Sequence, residues 1–291
     1  MSYSSISKHS ESILSNDKLP IYYDLYTPVT TSGTVLPIVF FVHGFKGFKD
    51  WGAFPDACEE IARSGFAVLA FNHSKNGIGE NMLEFDQPEL FEEQTLSGDL
   101  DDIGSLIEAL EQKQISHNKI VLNTDQIGII GHSRGGHTAV AAAAEYSSIH
   151  CLITWSAVAD YNARWSEKMI KDWNKNGYTE ITNARTGQVL KLGKVVYDDA
   201  MENASRVIAL NRVRELHIPS LFIAGKNDEA VSFKDSKKLM RACPSEDKEL
   251  RLIENAGHTF ETSHPFEDDD FPPQFAEVLE QTETWLLEYL K

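Results

Sequence analysis

The chain has 291 residues, of which 42% are hydrophobic and 24% are charged, so it can bury a sizeable core. Acidic residues outnumber lysine and arginine by 44 to 27, which gives a formal net charge of −17. Because such a charge repels phosphate groups, neither nucleic acid nor an anionic membrane surface is an expected partner. No stretch reaches the roughly 18 consecutive apolar residues that a membrane helix requires.

Cysteine usage and the amino-terminal segment both indicate a cytoplasmic protein. Cys58, Cys151 and Cys243 have neither a C-x-x-C spacing nor a zinc-like one, and we expect them to be buried packing residues. A sparse, odd number of cysteines is typical of a reducing compartment. The first eight residues contain no apolar run that could act as a signal sequence.

Strand-like and helix-like segments alternate beyond residue 35, which predicts one α/β domain over residues 1–291 with a mostly parallel, twisted sheet flanked by helices. One or two strands in the first 30 residues are expected to pair antiparallel at the sheet edge. Apolar runs predict buried strands over residues 35–42, 66–71, 125–130, 150–155, 219–224 and 249–253. Apolar periodicity or composition predicts helices over residues 54–64, 97–112, 137–146, 233–241 and 274–290.

One block, residues 162–204, interrupts this alternation. A helix-like stripe that includes Trp165 and Trp173 ends at Gly177, which is a helix C-cap signal. Two strand-like runs then flank residues 183–187, whose composition predicts a hairpin turn. We therefore expect a small helix-plus-hairpin cap insertion within the domain, nearly neutral in charge, rather than a second domain.

The segment from Gly131 to Gly135 matches the pattern G-x-S-x-G. The pattern alone occurs by chance in about one chain in ten of this length. Here, however, it directly follows a predicted buried strand and directly precedes a helix, which is the context of a nucleophile elbow. Such an elbow strains the serine backbone, and the residues two before and two after it approach closely, so both are glycine. We predict Ser133 as the nucleophile, with Gly136 giving the helix room to pack.

A serine nucleophile needs an adjacent base, and the base needs an orienting acid. Asp228 follows one predicted strand and His258 follows the next, so Ser133, Asp228 and His258 have the chain order of an α/β-hydrolase triad. Carboxyl ends of parallel strands share one edge of a sheet, and active sites of open α/β sheets lie there. We therefore predict that these three residues form a catalytic triad.

Other residues could supply the acid or the base. Asp228 could serve only as a turn residue, with Glu229 or Asp160 providing the carboxylate. His264 could replace His258 as the base. These alternatives stay open at the level of sequence.

The segment His43-Gly44-Phe45 follows the first buried strand, where a second oxyanion donor is expected. We assign the backbone N–H groups of Phe45 and Arg134 to the oxyanion hole and treat their side chains as incidental to it. His43 is expected to brace this loop through hydrogen bonds rather than to transfer protons.

Aromatic residues near the catalytic segments could form the substrate pocket. The candidates are Phe48, Trp51, Trp165, Trp173 and Phe260. A tryptophan stripe on a helix is equally explained as ordinary core packing. The acidic run at residues 267–270 lacks the spacing of a calcium loop and is expected to be a solvated loop, so no metal site is predicted.

Residues 43–45, 131–136, 225–228 and 257–260 together resemble the α/β-hydrolase superfamily, and the match spans residues 19–290. Within it the chain is most similar to the dienelactone-hydrolase and cinnamoyl (feruloyl) esterase branch, where an H-G-F loop and a G-H-S-x-G-G elbow occur together. Dienelactone hydrolases use a cysteine nucleophile, whereas Ser133 occupies that place here. The resemblance implies the α/β-hydrolase fold and no metal or organic cofactor.

These observations predict a serine hydrolase that cleaves a small-molecule carboxylic ester through an acyl-enzyme intermediate. A serine peptidase of the prolyl-peptidase type is an alternative on the same fold, as is an acyltransferase or thioesterase with the same triad. A non-catalytic binding protein that has kept the fold is the alternative from another class.

Overall fold

The computed structural model describes residues 3–79, 81, 84–183 and 185–291. Its strands are β1 (Ile6–Leu14), β2 (Pro20–Pro28), β3 (Thr34–Val42), β4 (Ala67–Phe71), β5 (Ile120–His132), β6 (Ile149–Trp155), β7 (Tyr178–Thr182), β8 (Val189–Gly193), β9 (Ser220–Gly225) and β10 (Lys248–Ile253). Its α-helices are α1 (Phe54–Arg63), α2 (Pro88–Glu92), α3 (Leu96–Glu111), α4 (Arg134–Glu145), α5 (Glu167–Asn176), α6 (Lys194–Glu202), α7 (Ala204–Val207), α8 (Ala209–Arg212), α9 (Phe233–Ala242) and α10 (Pro273–Tyr289). Short 3-10 turns lie at Tyr161–Arg164 and Val213–Glu215.

Among the described residues, eight strands form one sheet in the order β1-β2-β4-β3-β5-β6-β9-β10. The β1 and β2 strands pair antiparallel, β2 pairs antiparallel with β4, and the other neighbours pair parallel. The prediction of a mostly parallel sheet with antiparallel strands at one edge is confirmed. The parallel arrangement brings the carboxyl ends of β3, β5, β6, β9 and β10 to the same edge.

Helices cover both faces of the sheet, and the alternation of side chains along β3 shows this directly. Phe40 packs in a core cluster with residues of α3 and α4. Its neighbour Phe41 packs in a second cluster with residues of α1 and α10. Because successive strand residues point to opposite faces, a strand buried on both sides must be apolar throughout. Residues 38–42 confirm this for the predicted run, whereas Val35 at its start is exposed.

The chain between β6 and β9 contains the predicted helix and hairpin. The helix α5 ends at Gly177, whose φ of 80° is the left-handed conformation expected of a C-cap glycine. The β7 and β8 strands pair antiparallel in a separate two-stranded sheet, and Trp173 Nε1 donates to the Leu192 carbonyl oxygen at 2.8 Å. Ala184, in the predicted turn, lies outside the described residues. The helix α6 was not among the predicted elements.

Two further findings concern the cysteines and the hydrophobicity of the helices. Cys58, Cys151 and Cys243 are all free and buried, which confirms their assignment as packing residues. Within the part of the chain that the structure describes, no helix combines the length and apolar character needed to cross a membrane.

Candidate active site

The predicted elbow lies where β5 ends and α4 begins. Ser133 has φ of 57° and ψ of −115°, a strained conformation for a residue with a side chain. A Cβ atom on Gly131 would collide with the Gly135 carbonyl group, and one on Gly136 would lie 2.6 Å from the Ala157 Cβ. The close approach that requires glycine at these positions is therefore confirmed.

The three predicted triad residues form one hydrogen-bonded row. His258 Nε2 lies 2.9 Å from Ser133 Oγ, and His258 Nδ1 lies 2.7 Å from Asp228 Oδ2. The other carboxylate oxygen, Asp228 Oδ1, accepts hydrogen bonds from the backbone N–H groups of Ala230 at 2.9 Å and Val231 at 2.7 Å. Asp228 Oδ1 therefore takes part in the local turn, and Asp228 Oδ2 contacts His258 as the triad prediction requires.

Electrostatics favour an ionised Asp228 beside His258. Burial alone would raise the pKa of the Asp228 carboxyl, but the hydrogen bond and charge of His258 and the Val231 N–H together hold that pKa below its usual range. An ionised Asp228 accepts a hydrogen bond from the Nδ1–H group of His258. In a neutral imidazole, Nε2 then carries no proton and can accept a hydrogen bond from the Ser133 hydroxyl. This is the tautomer that a general base requires.

The alternative acids and base lie elsewhere. Asp160 caps the 3-10 turn at Tyr161–Arg164, where its Oδ1 accepts from the Asn162 N–H at 3.0 Å. Glu229 is exposed. His264 Nδ1 accepts from the Gly52 N–H at 2.8 Å. Among the described residues, the hydrogen bonds of His258 favour Asp228 as its acid partner.

Two neutral histidines lie beside the site but do not belong to the hydrogen-bonded row of Asp228, His258 and Ser133. His132 Nε2 donates to the His258 carbonyl oxygen at 2.9 Å, and burial together with the nearby His258 lowers the His132 pKa to about 3. His43 Nδ1 donates to the Gly44 carbonyl oxygen at 2.9 Å, and burial lowers its pKa to about 3 as well. His43 thus braces the loop after β3, as predicted.

This loop lies directly against the serine. A Cβ atom on Gly44 would be 3.0 Å from the Ser133 Cβ. The next residue, Phe45, and the first residue of α4, Arg134, are the two predicted amide donors. Within the described part of the chain, neither backbone N–H donates to another protein group. Their assignment to an oxyanion hole stays a prediction.

The Arg134 side chain has a structural role that the sequence did not reveal. It is 3% exposed, and its Nε and Nη2 contact Asp99 Oδ2 at 2.8 and 2.7 Å, while Nη2 also donates to the Gln94 carbonyl oxygen at 3.0 Å. Although burial opposes ionisation of Asp99, the Arg134 guanidinium holds the pKa of that carboxyl below its usual range. The guanidinium also lies over the Phe45 and Tyr161 rings, at 5.6 and 5.5 Å. It therefore ties the elbow to α3 and to the loop after β3.

A cavity of about 360 Å³ opens above Ser133 and His258. Trp51 lines it, as predicted. Lys46, Phe54, Asn183, Arg185 and Thr259 also line it and were not among the predicted pocket residues. Among the described residues, the lining comprises Gly44, Phe45, Lys46, Gly47, Trp51, Phe54, His132, Ser133, Asn183, Arg185, His258 and Thr259.

The structure places the other four predicted pocket residues away from this lining. Phe48 and Trp173 are buried together in a separate core cluster. Phe260 is also buried, and its ring centroid lies 6.4 Å from that of Trp155. Trp165 packs against the rings of Trp173 and Tyr197. The interpretation of the tryptophan stripe as ordinary core packing therefore describes Trp165 and Trp173.

In the described residues, no group of three or more histidine, cysteine or acidic side chains is arranged to hold a metal ion. Asp268, Asp269 and Asp270 are exposed on a loop before α10. Their arrangement agrees with the prediction of a solvated acidic loop.

Comparison with known proteins places the chain among hydrolases. Residues 89–271 match the prolyl oligopeptidase family. The ferulic-acid-bound structure of Est1E from Butyrivibrio proteoclasticus is similar with a TM-score of 0.72 and 21% identity, over 96% of this chain and 99% of that one. A dienelactone hydrolase from Anabaena variabilis has a TM-score of 0.61 and 16% identity, over 98% and 99% of the two chains. A search of curated proteins found no match.

A longer protein also contains this fold. A putative dipeptidyl aminopeptidase IV from Bacteroides ovatus is similar with a TM-score of 0.68 and 14% identity, over 98% of this chain but 36% of that one. At such identities these likenesses show the fold, which is the α/β-hydrolase fold predicted from the sequence. The family match covers more than half of the chain and includes Ser133, Asp228 and His258. The chain therefore belongs to the prolyl oligopeptidase family and is a serine hydrolase.

Proposed function

We propose that the protein is a carboxylic-ester hydrolase that works through a Ser133-His258-Asp228 triad and an acyl-enzyme intermediate. The observation that carries this proposal is the continuous row from Asp228 through His258 to the Ser133 hydroxyl, with contacts of 2.7 and 2.9 Å, beneath an open cavity. Nucleophile, base and orienting acid stand within hydrogen-bond reach of one another, as covalent catalysis requires.

In the acylation half of the reaction, Ser133 Oγ attacks the ester carbonyl carbon while its proton passes to His258 Nε2. Negative charge develops on the carbonyl oxygen, where the Phe45 and Arg134 amides donate hydrogen bonds. Asp228 stabilises the imidazolium that forms. When the tetrahedral intermediate collapses, His258 gives the proton to the leaving alcohol, and the acyl group stays on Ser133.

In the second half, water takes the place of the alcohol. His258 Nε2 removes a proton from water as its oxygen attacks the acyl-enzyme carbonyl carbon, and then protonates Ser133 Oγ as that bond breaks. The products are a carboxylic acid and an alcohol, and the enzyme returns to its first state. The proposed chemistry requires no cofactor.

The family match favours the peptidase alternative, and the residues that line the cavity provide a test of it. An exopeptidase that captures a substrate amine needs a carboxylate near the nucleophile. Among the described residues that line the cavity, none is Asp or Glu. This supports an ester over a peptide with a free amino terminus.

The proposal includes the segment at residues 162–204 as a cap that walls the cavity within a single domain. Asn183 and Arg185, from the tip of the β7–β8 hairpin, line the cavity together with residues of the elbow. Loops and insertions of this kind commonly set specificity on a rigid scaffold.

The decisive test compares the wild type with Ser133→Ala on a panel of 4-nitrophenyl esters that differ in acyl chain length, and on aryl esters. We expect ester hydrolysis by wild type and a loss of at least about 10⁴-fold in kcat for Ser133→Ala. The variant should unfold at an unchanged temperature. Retention of esterase activity by folded Ser133→Ala would contradict the triad.

The same panel separates the alternatives. Turnover of aminoacyl 4-nitroanilides in preference to the esters would replace the esterase proposal with a peptidase. Formation of new esters or thioesters in the presence of competing alcohols or thiols would indicate an acyltransferase.

A further inference from the structure

Two basic residues line the cavity above Ser133, although the whole chain carries a formal net charge of −17. Lys46 and Arg185 line it, and the described part of the lining contains no carboxylate. In a chain with 44 acidic residues and 27 basic ones, this local excess of positive charge needs a physical explanation. A cleft that carries one sign of charge concentrates ligands of the opposite sign.

Asn183 supplies a buried hydrogen-bond donor in the same lining. Its side chain oxygen Oδ1 accepts from the Arg185 N–H at 3.1 Å, which organises the hairpin tip. Its Nδ2 is buried and finds no hydrogen-bond partner among the described residues, although Asn183 as a whole is only 5% exposed. A buried polar group without a partner is costly, which points to an acceptor that a ligand would bring.

Lys46, from the loop after β3, contacts the end of β7. Its ammonium Nζ donates to the Thr182 carbonyl oxygen at 3.2 Å, next to Asn183. An ammonium has three N–H donors, so this contact leaves donors for a ligand. Partial burial lowers the Lys46 pKa, which shows that desolvation opposes the positive charge here. A bound anion would compensate for that desolvation.

Arg185 places a guanidinium beside these two residues. It lies over the Phe48 ring at 5.7 Å and its charge contributes, after burial, to the lowered pKa of His264. Lys46 and Arg185 are the two basic residues of the described cavity lining.

We infer that Lys46, Asn183 and Arg185 form a subsite for a carboxylate group of the substrate. The inference rests on the proposed esterase function and names the substrate class: an ester that carries a free carboxylate away from the scissile bond, such as a half-ester of a dicarboxylic acid. A carboxylate offers only acceptors, which match the ammonium, guanidinium and amide donors.

The test uses a matched pair of esters that share one leaving group. One is 4-nitrophenyl hydrogen adipate, which carries the carboxylate, and the other is 4-nitrophenyl methyl adipate, which does not. We expect wild type to prefer the charged ester by about tenfold or more in kcat/KM, as for a hydrogen bond to a charged group. The preference should shrink as salt is added, because salt screens partly exposed charges.

Substitution of Asn183 by Asp gives the sharpest variant. Asn183→Asp is close to isosteric and keeps the oxygen that accepts from the Arg185 N–H, but it replaces the Nδ2 donor with an acidic oxygen. We expect it to abolish or invert the preference. Lys46→Met and Arg185→Gln should each reduce the preference by about tenfold.

Lys191→Met is the matched control. Lys191 lies on β8 of the same hairpin, stacks over the Tyr178 ring at 4.3 Å and does not belong to the described lining. Lys191→Met changes the net charge of the protein by the same amount as Lys46→Met. The ratio of the two kcat/KM values should stay at the wild-type value. Turnover of the methyl ester and the unfolding temperature show that each variant has folded.

Equal turnover of the two esters by wild type, or an unchanged ratio in Asn183→Asp, would overturn the subsite and leave the esterase proposal standing. A wild type that hydrolyses neither ester, and whose Ser133 does not react with a fluorophosphonate, would instead overturn the proposed function.

Discussion

The two walls of the cavity differ in how tightly the backbone constrains them. On the elbow wall, a Cβ atom on Gly131 or Gly135 would collide with backbone atoms of neighbouring segments. In the hairpin region, a Cβ atom on Gly177 or Gly187 would meet nothing within 4 Å. The elbow glycines are required by close packing, whereas the hairpin glycines are required only by their positive φ of 80° and 73°.

Because of this difference, we expect the elbow wall and the hairpin wall to control different properties of the enzyme. The strained, close-packed elbow fixes the position of Ser133 to within the reach of His258, and small changes there disturb the reaction itself. The hairpin presents its side chains from an open turn, where substitutions change what binds without moving the nucleophile. We therefore expect changes on the elbow wall to affect chemistry and folding, and changes in the hairpin to affect selectivity.

The largest effect is expected at Asp228. Asp228→Asn should reduce kcat by about 10⁴-fold, because an amide no longer selects the His258 tautomer that accepts the Ser133 proton. Steady-state kinetics with a neutral 4-nitrophenyl ester measures this. Glu229→Gln removes the adjacent carboxylate and is the control, with kcat expected to stay at the wild-type level. A comparable loss in both variants would contradict the assignment of Asp228 alone.

A smaller but substantial effect is expected beneath the elbow. Arg134→Met should lower the free energy of unfolding by about 3–5 kcal/mol, because it leaves the Asp99 carboxylate buried without its partner. Urea denaturation measures the change. The double variant Arg134→Met with Asp99→Leu should recover much of the loss, since it removes both charges. A single variant as stable as wild type would show that the pair does not tie the elbow to α3.

The smallest effect is expected at the C-cap of α5. Gly177→Ala should cost about 1 kcal/mol of folding free energy, because alanine disfavours the positive φ although space for its Cβ exists. Hydrolysis of a neutral ester should not change. A loss of several kcal/mol would mean that the hairpin region is constrained as tightly as the elbow, and the contrast between the walls would disappear.

Sequence reasoning succeeded at the elbow because the information there is local. The glycines, Ser133 and the preceding apolar run are contiguous, and their order dictates a strand, a sharp turn and a helix. The start of α4 was nevertheless placed at residue 137 instead of Arg134. Gly135 and Gly136 have low helix propensity, but close packing against residues after β3 and β6 holds them in the helix.

The sequence failed at the hairpin wall because the information there is not local. Lys46 and Thr182 are 136 positions apart, yet Lys46 Nζ donates to the Thr182 carbonyl oxygen. Which side chains face the substrate depends on where the hairpin tip folds back, and no periodicity encodes that. The Trp173 stripe illustrates the same limit, since apolar spacing predicts a buried face but does not distinguish a core from a pocket.

The central claim is that Ser133 is a nucleophile activated by His258, and covalent labelling tests it most directly. The protein is treated with a fluorophosphonate and the modified residue is located by peptide mass spectrometry, in wild type and in His258→Ala. We expect a single adduct on Ser133 that forms rapidly in wild type and at least about 10³-fold more slowly in His258→Ala. An adduct on another residue, or equal labelling rates in both proteins, would contradict the account.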